Sequence, residues 1–201
     1  MDTLMPRIIL ASSSPRRKML LKQAGFSFDV IVSHVVEQIN HPACAPEAIA
    51  EDLALQKAAA VAANIQNAVI LGADTIVVEG SEILGKPEDA ADAAQMLRRL
   101  SGKAHRVITG VALVSTYSPA RTLVRHASTS VKFASLSESA IAAYVACGEP
   151  LDKAGAYGIQ GQGALFVEWI HGCYNNVVGL PLFLFGQMFH DMSAQLDSGR
   201  V

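Results

Sequence analysis

Residues 68–73, Ala-Val-Ile-Leu-Gly-Ala, form an apolar run with no polar residue in alternation, and Asp74-Thr75 follows at once. Such a run suits a central strand covered on both faces, with its end at the carboxylate. Around it, short apolar runs alternate with longer periodic segments, the pattern of an α/β protein with a mixed sheet. Residues 7–11 and 28–33 read as strands. Between them Ser14-Pro15 offers an N-cap and an N1 proline for a helix ending near Gly25. Helices are expected over 46–64, over 89–100 with a stop at Ser101-Gly102, over 137–147 and over 182–195. Segments 105–116 and 121–134 are long enough for a paired ribbon. Residues 155–163 read as a glycine-rich loop, followed by a strand over 164–170.

The 201 residues are expected to form one domain, 1–201, with its motifs between about 7 and 195. A content of 51% hydrophobic and 17% charged residues is that of an ordinary folded chain. The formal charge of −2 gives no general attraction to nucleic acid or to an anionic membrane, and 6% aromatics argues against an RNA-binding surface. Neither the short run at 8–11 nor the stretch 177–189, broken by Gly179, Pro181 and Gly186, reaches the length of a signal-peptide core or a membrane span. Cys44, Cys147 and Cys173 are odd in number and far apart. They read as buried thiols of a cytoplasmic protein, with neither a disulfide framework nor a zinc site.

Several segments carry chemical promise. In Ser12-Ser-Ser-Pro-Arg-Arg17 a strand runs through a hydroxyl-rich turn into a capped helix, whose first N–H groups and dipole favour an anion. Arg16, Arg17 and Lys18 crowd that positive end, where cations are unfavourable unless an anion sits nearby. Arginine forks suit phosphate oxygens; a solvated, well-capped helix start is the plain alternative. Asp74 stands where catalytic groups of α/β sheets gather, although strand-end aspartates also serve as turn residues. Were Glu37 to converge on Asp74, the pair would offer oxygen ligands for Mg²⁺. Lys57 extends the stripe Ala50, Leu53, Lys57, Ala60, which means either an anion to meet or a side chain snorkelling along the stripe's edge.

Two motifs mislead. Residues 80–87 match G-x-x-x-x-G-K but end in Pro87, which has no hydroxyl for Mg²⁺ and pushes Lys86 towards an extended conformation where a P-loop runs on into a helix, and Glu82 would repel phosphate. Lys86 remains a candidate phosphate lysine in another frame. Residues 158–163 lack the G-x-G-x-x-G order and precede a strand. Gln160 within them has an amide that donates and accepts at once, the equipment for reading the edge of a base; a plain turn is the alternative. The six histidines form no H-E-x-x-H, and no G-x-S-x-G elbow is present.

Taken together, Leu10-Ala-Ser-Ser-Ser-Pro-Arg-Arg17, Gly72-Ala-Asp-Thr75, Leu84-Gly-Lys-Pro87, Ser101-Gly102 with His105 and Thr109-Gly-Val111, Gly148-Glu-Pro-Leu-Asp-Lys-Ala-Gly155, Tyr157-Gly-Ile-Gln-Gly161 and Val178-Gly-Leu-Pro-Leu182 resemble the Maf family. The segments stand in family order over nearly the whole chain. The resemblance implies a Maf/Ham1-like mixed sheet with flanking helices, two lobes around a cleft, and hydrolysis of a nucleoside triphosphate to the monophosphate and diphosphate. It implies a divalent cation (Mg²⁺, Mn²⁺ or Co²⁺) held by Glu37 and Asp74, with Asp74 as general base. It gives Ser14, Arg16, Arg17, Lys57 and Lys86 as the phosphate-facing set, and it leaves room for a homodimer. Family members acting on dTTP and UTP carry Arg, Thr and Gln at three specificity positions, here Arg16, Thr75 and Gln160. Relatives acting on 7-methyl-GTP resemble Ser-Pro-Trp-Arg, Ser-Asp-Gln and Ser-Glu-Gly there. The competing expectations are a 7-methyl-GTP or modified-nucleotide pyrophosphatase of the same fold, and a nucleotide-binding regulator of septum formation with little turnover.

Overall fold

A computed structural model describes residues 6–35, 38 and 44–198. Two compact units emerge, one of residues 1–74, 109–127 and 179–201, the other of 75–108 and 128–178. The elements are β1 (Ile8–Leu10), α1 (Pro15–Gln23), β2 (Asp29–Val30), α2 (Pro46–Ala62), β3 (Val69–Glu79), β4 (Glu82–Leu84), α3 (Ala90–Leu100), β5 (Ala104–Ser115), β6 (Arg121–Phe133), α4 (Glu138–Ala146), β7 (Val167–His171), α5 (Tyr174–Val178) and α6 (Leu182–Ser198). Strand pairing runs β2-β1-β3-β5-β6-β7 with β4 on β3, seven strands among the described residues. The mixed α/β class read from the sequence is thus observed. No helix of the described residues is long and apolar enough to cross a membrane.

In the first unit β1 lies parallel to β2, with Ile9 opposite Asp29, and parallel to β3, with Leu10 opposite Leu71. Strand β2 is far shorter than the expected 28–33. It sits at a sheet edge, and its one partner β1 is itself only three residues long. Strand β3, by contrast, runs five residues beyond Asp74. Thr75-Ile-Val-Val78 is rich in β-branched residues, and the Gly80-Ser81 turn folds β4 back antiparallel, Val77 opposite Leu84. Asp74 is therefore a mid-strand residue and not the strand's end. The same hairpin disposes of the P-loop resemblance, because residues 80–84 are turn and strand, and α3 starts only after Asp89 caps it through the Asp92 N–H.

Helix α2 lies unusually close to the sheet. A Cβ built on Gly72 would overlap the Ala54 carbonyl oxygen and come within 2.8 Å of the Ala58 nitrogen; on Gly110 it would overlap the Ala50 carbonyl. Only glycine allows backbone to approach backbone in this way. The buried face of α2 comprises Ile49, Ala50, Leu53, Ala54, Ala58 and Val61, of which Ala54, Ala58 and Val61 pack in one cluster with Ile9, Ile70 and Ala112. Ala60, expected on this face, is exposed, since the stripe turns through Ala58 and Val61. The cysteines also depart from expectation. Cys44 and Cys147 are exposed and Cys173 is half-buried, all as free thiols. Cys147 follows α4, where its thiol donates to the Tyr144 carbonyl at 2.9 Å.

The second unit packs Leu97, Leu100, Val131, Phe133, Ile141, Tyr144, Tyr157 and Phe166 into its own core. The expected strand over 164–170 begins only at Val167, because Gln162–Phe166 winds as a 3₁₀ turn. Helix α5 was not anticipated; five residues give too little periodicity to see. His105 is buried at 3% exposure, edge-on to Phe133 and Tyr157, with Nε2 2.8 Å from the Tyr157 hydroxyl. Burial lowers its pKa from 6.5 to about 4, outweighing the attraction of Glu79. As the pH falls, the unfolded chain therefore takes up this proton before the folded one does. The stabilisation is whole above about pH 6.5 and drains away towards pH 4, amounting to about 3 kcal/mol. His105→Phe should flatten this part of the stability curve, measured by urea unfolding between pH 4.5 and 7.5. An acid slope identical to that of the parent would clear His105 of any part in it.

Candidate active site

In the first unit the candidate side chains of the Ser12-Ser13-Ser14 turn and of Asp74 lie on segments that continue past the last pairing of β1 with β3. From β1 the chain crosses to β2 on one side and later returns to β3 on the other, so the connections diverge at the carboxyl end of β1. Such a switch point opens a crevice in α/β sheets. The last pairing of β1 with β3 is Leu10 with Leu71, extended by the Ala11 N–H on the Leu71 carbonyl at 2.8 Å. Beyond it the Ser12-Ser13-Ser14 turn departs into α1, while β3 continues through Asp74.

The turn is built as the sequence requires. Ser14 caps α1, its Oγ accepting the Arg17 N–H at 3.4 Å, with Pro15 in the first helical turn. Ser12 Oγ accepts the Ser14 N–H and one Arg17 guanidinium N–H, each at 3.2 Å. Arg17 Nε donates to the Gly179 carbonyl at 2.9 Å. Arg17 thus ties the helix start to the Val178-Gly-Leu-Pro-Leu182 segment, which explains one cation at a helix N-terminus without an outside anion. Arg16, one residue earlier, is half-buried.

Asp74 and Gly72 share a face of β3 by the two-residue period of a strand. The approach of α2 at Gly72 brings Lys57, one turn beyond Leu53, over that same face. Its Nζ donates to Asp74 Oδ1 at 2.5 Å, with side-chain exposures of 14% and 11%. Lys57 therefore does meet an anion, and that anion is Asp74. A hard carboxylate oxygen, a half-buried ammonium and a capped helix start are chemistry suited to a phosphate group with a divalent cation. The other expected cation ligand, Glu37, lies outside the described residues.

The remaining candidates belong to the second unit. Thr75 follows Asp74 on β3 and is half-buried; Lys86 is exposed just after β4. Gln160 is exposed at the crest of the loop between Tyr157 and Gly163. Sequence reasoning gave no individual role to Ser12, Tyr144 or Glu149, although Ser12 and Glu149 stand inside segments it singled out. The last lies inside Gly148-Glu-Pro-Leu-Asp-Lys-Ala-Gly155, and its Oε2 accepts the Gln162 N–H at 2.9 Å. Burial would raise the Glu149 pKa, but the Gln162 N–H, the Tyr144 hydroxyl, the Gly163 N–H and the charge of Lys153 together hold the carboxyl below its ordinary value.

Fold and site together define an α/β protein with an acidic and cationic cluster at the switch point of parallel strands. The chain belongs to the Maf family, whose model, described as Maf-like protein, matches residues 7–192. Among similar proteins is a dTTP/UTP pyrophosphatase of Ruminiclostridium cellulolyticum, 48% identical over 192 residues that cover 96% of this chain and 99% of that one. A protein of the same name from Symbiobacterium thermophilum is 51% identical over 195 residues, covering 97% and 98%. A solved HAM1 protein from Coxiella burnetii aligns with a TM-score of 0.49 and 14% identity, over 96% of this chain and 100% of that one.

Proposed function

We propose that this chain, acting as one functional domain in the cytoplasm, hydrolyses dTTP and UTP to the monophosphate and diphosphate. The observation that carries the proposal is the Lys57–Asp74 pair, in a chain about half identical to relatives named for that activity. In this proposal Asp74 is the general base. Water attacks the α-phosphorus and gives its proton to the carboxylate, and the bond to the bridging oxygen breaks as pyrophosphate leaves with the electron pair. Lys57, bonded to Oδ1, fixes the carboxylate's direction. Ser14, Arg16, Arg17 and Lys86 supply the positive ends that meet charge developing on the leaving group.

The donor chemistry fits a Mg²⁺-type ion (Mg²⁺, Mn²⁺ or Co²⁺). Asp74 is a hard oxygen ligand, and such an ion takes one or two carboxylates, here Asp74 with Glu37, plus substrate phosphates and water. When bound it would neutralise phosphate charge as a Lewis acid.

Arg16, Thr75 and Gln160 are assigned to substrate choice. A pyrimidine edge presents a carbonyl acceptor and an imide N–H donor, and the neutral Gln160 amide matches both. Glutamate there would face the carbonyl with a negative charge. An unpaired buried polar group costs about 1–3 kcal/mol, so Gln160→Glu should lower kcat/KM for dTTP by about tenfold to a hundredfold. The test is pyrophosphate release from dTTP, UTP and 7-methyl-GTP by parent and variant. A parent enzyme that prefers 7-methyl-GTP would overturn the pyrimidine assignment.

A further inference from the structure

The loop that carries Gln160 is wrapped around a single carboxylate. Glu149 Oε1 accepts the Tyr144 hydroxyl at 2.8 Å and Oε2 accepts the Gln162 N–H at 2.9 Å. The Tyr144 hydroxyl, having donated to Glu149, accepts the Gly158 N–H at 3.1 Å. One acid and one phenol therefore grip the backbone two residues before Gln160 and two residues after it. Tyr144 is buried in the core of its unit at 2% exposure, so the grip is fixed to a rigid base.

The glycines follow from this wrapping. A Cβ on Gly161 would overlap both Glu149 carboxylate oxygens, and one on Gly163 would come within 2.7 Å of the Tyr144 hydroxyl. Lys153 closes the base, its Nζ donating to the Glu149 carbonyl at 2.6 Å. Gln160 itself is exposed, so its place is set by its neighbours' backbone bonds.

We propose that Glu149, working through Tyr144 and the Gln162 N–H, is a positioning residue that holds Gln160 ready for the nucleotide base. The proposal rests on the functional assignment of Gln160 above. A preformed loop forgoes the ordering entropy on binding, so loosening it should weaken substrate binding more than the chemical step.

Tyr144→Phe, Glu149→Gln and Glu149→Ala, each in the full chain, separate the contributions. Amide hydrogen exchange without nucleotide should quicken at Gly158 in Tyr144→Phe, and at both Gly158 and Gln162 in Glu149→Ala. KM for dTTP should rise about tenfold to a hundredfold in Glu149→Ala, with kcat within a few-fold of the parent. The preference for dTTP over 7-methyl-GTP should fall with it. Glu149→Gln should recover most of the loss, since its carbonyl still accepts the Gln162 N–H. Exchange rates unchanged in all three variants would overturn the grip. A loosened loop with parental KM and preference would overturn the positioning role alone. A parent enzyme inactive on dTTP and UTP would overturn the functional assignment and this role together.

Discussion

Asp74→Asn is expected to lower pyrophosphate release from dTTP by about a hundredfold to ten-thousandfold while the protein remains folded. The substitution keeps the shape of the side chain and removes its basicity. Asp74 lies at 8% exposure in the middle of β3, flanked by the buried Ala73 and the half-buried Thr75, so an isosteric change disturbs little packing. The amide carbonyl can still accept the Lys57 N–H that Oδ1 accepts now. Loss of the charge in that bond should cost about 1–2 kcal/mol. In a chain of this size that lowers the melting temperature by only a few degrees, at about 2–4 °C per kcal/mol. Turnover and melting are measured on the same preparation. Near-parental turnover by a folded Asp74→Asn variant would remove Asp74 from the chemistry and leave the carboxylate as a structural partner of Lys57.

What sequence pattern alone revealed divides along physical lines. The start of α1 was legible because Ser14 and Pro15 act within one turn, and the capping bond to the Arg17 N–H is local. Helices α2, α3 and α4 and the long strands β5 and β6 declare themselves through composition and length. The extent of β3 does not, because Asp74 breaks the apolar run and the continuing strand depends on a hairpin partner read as part of a false P-loop. Lys57 and Asp74 each stood out separately. Their meeting depends on how closely α2 approaches β3, a tertiary fact that neither residue's neighbours encode. Likewise Gly158, Gly161 and Gly163 suggest a flexible loop until the Glu149 carboxylate and the Tyr144 hydroxyl are seen inside it. Glycine in a sequence marks freedom or close approach equally well, and only the packing separates the two.

The same distinction gives opposite signs to two glycine-to-alanine changes. Gly72→Ala should destabilise the protein by about 3 kcal/mol or more, at the upper end of overpacking costs. The added Cβ would overlap the Ala54 carbonyl oxygen and come within 2.9 Å of the Ala58 Cβ, all on α2. These are backbone and near-backbone atoms with no rotamer to change, so the whole helix has to lift. Lifting it draws Lys57 away from Asp74, and turnover should fall together with stability although neither of those residues is altered. Gly186 lies within α6, where an added Cβ meets nothing within 4 Å. There alanine is the better helix former, and Gly186→Ala should add about 1 kcal/mol. The two melting temperatures should move apart, Gly72→Ala down by about 6–12 °C and Gly186→Ala up by about 2–4 °C. A Gly72→Ala protein that melts with the parent and retains its turnover would mean that α2 does not press on β3, and the account of how Lys57 reaches Asp74 would fall with it.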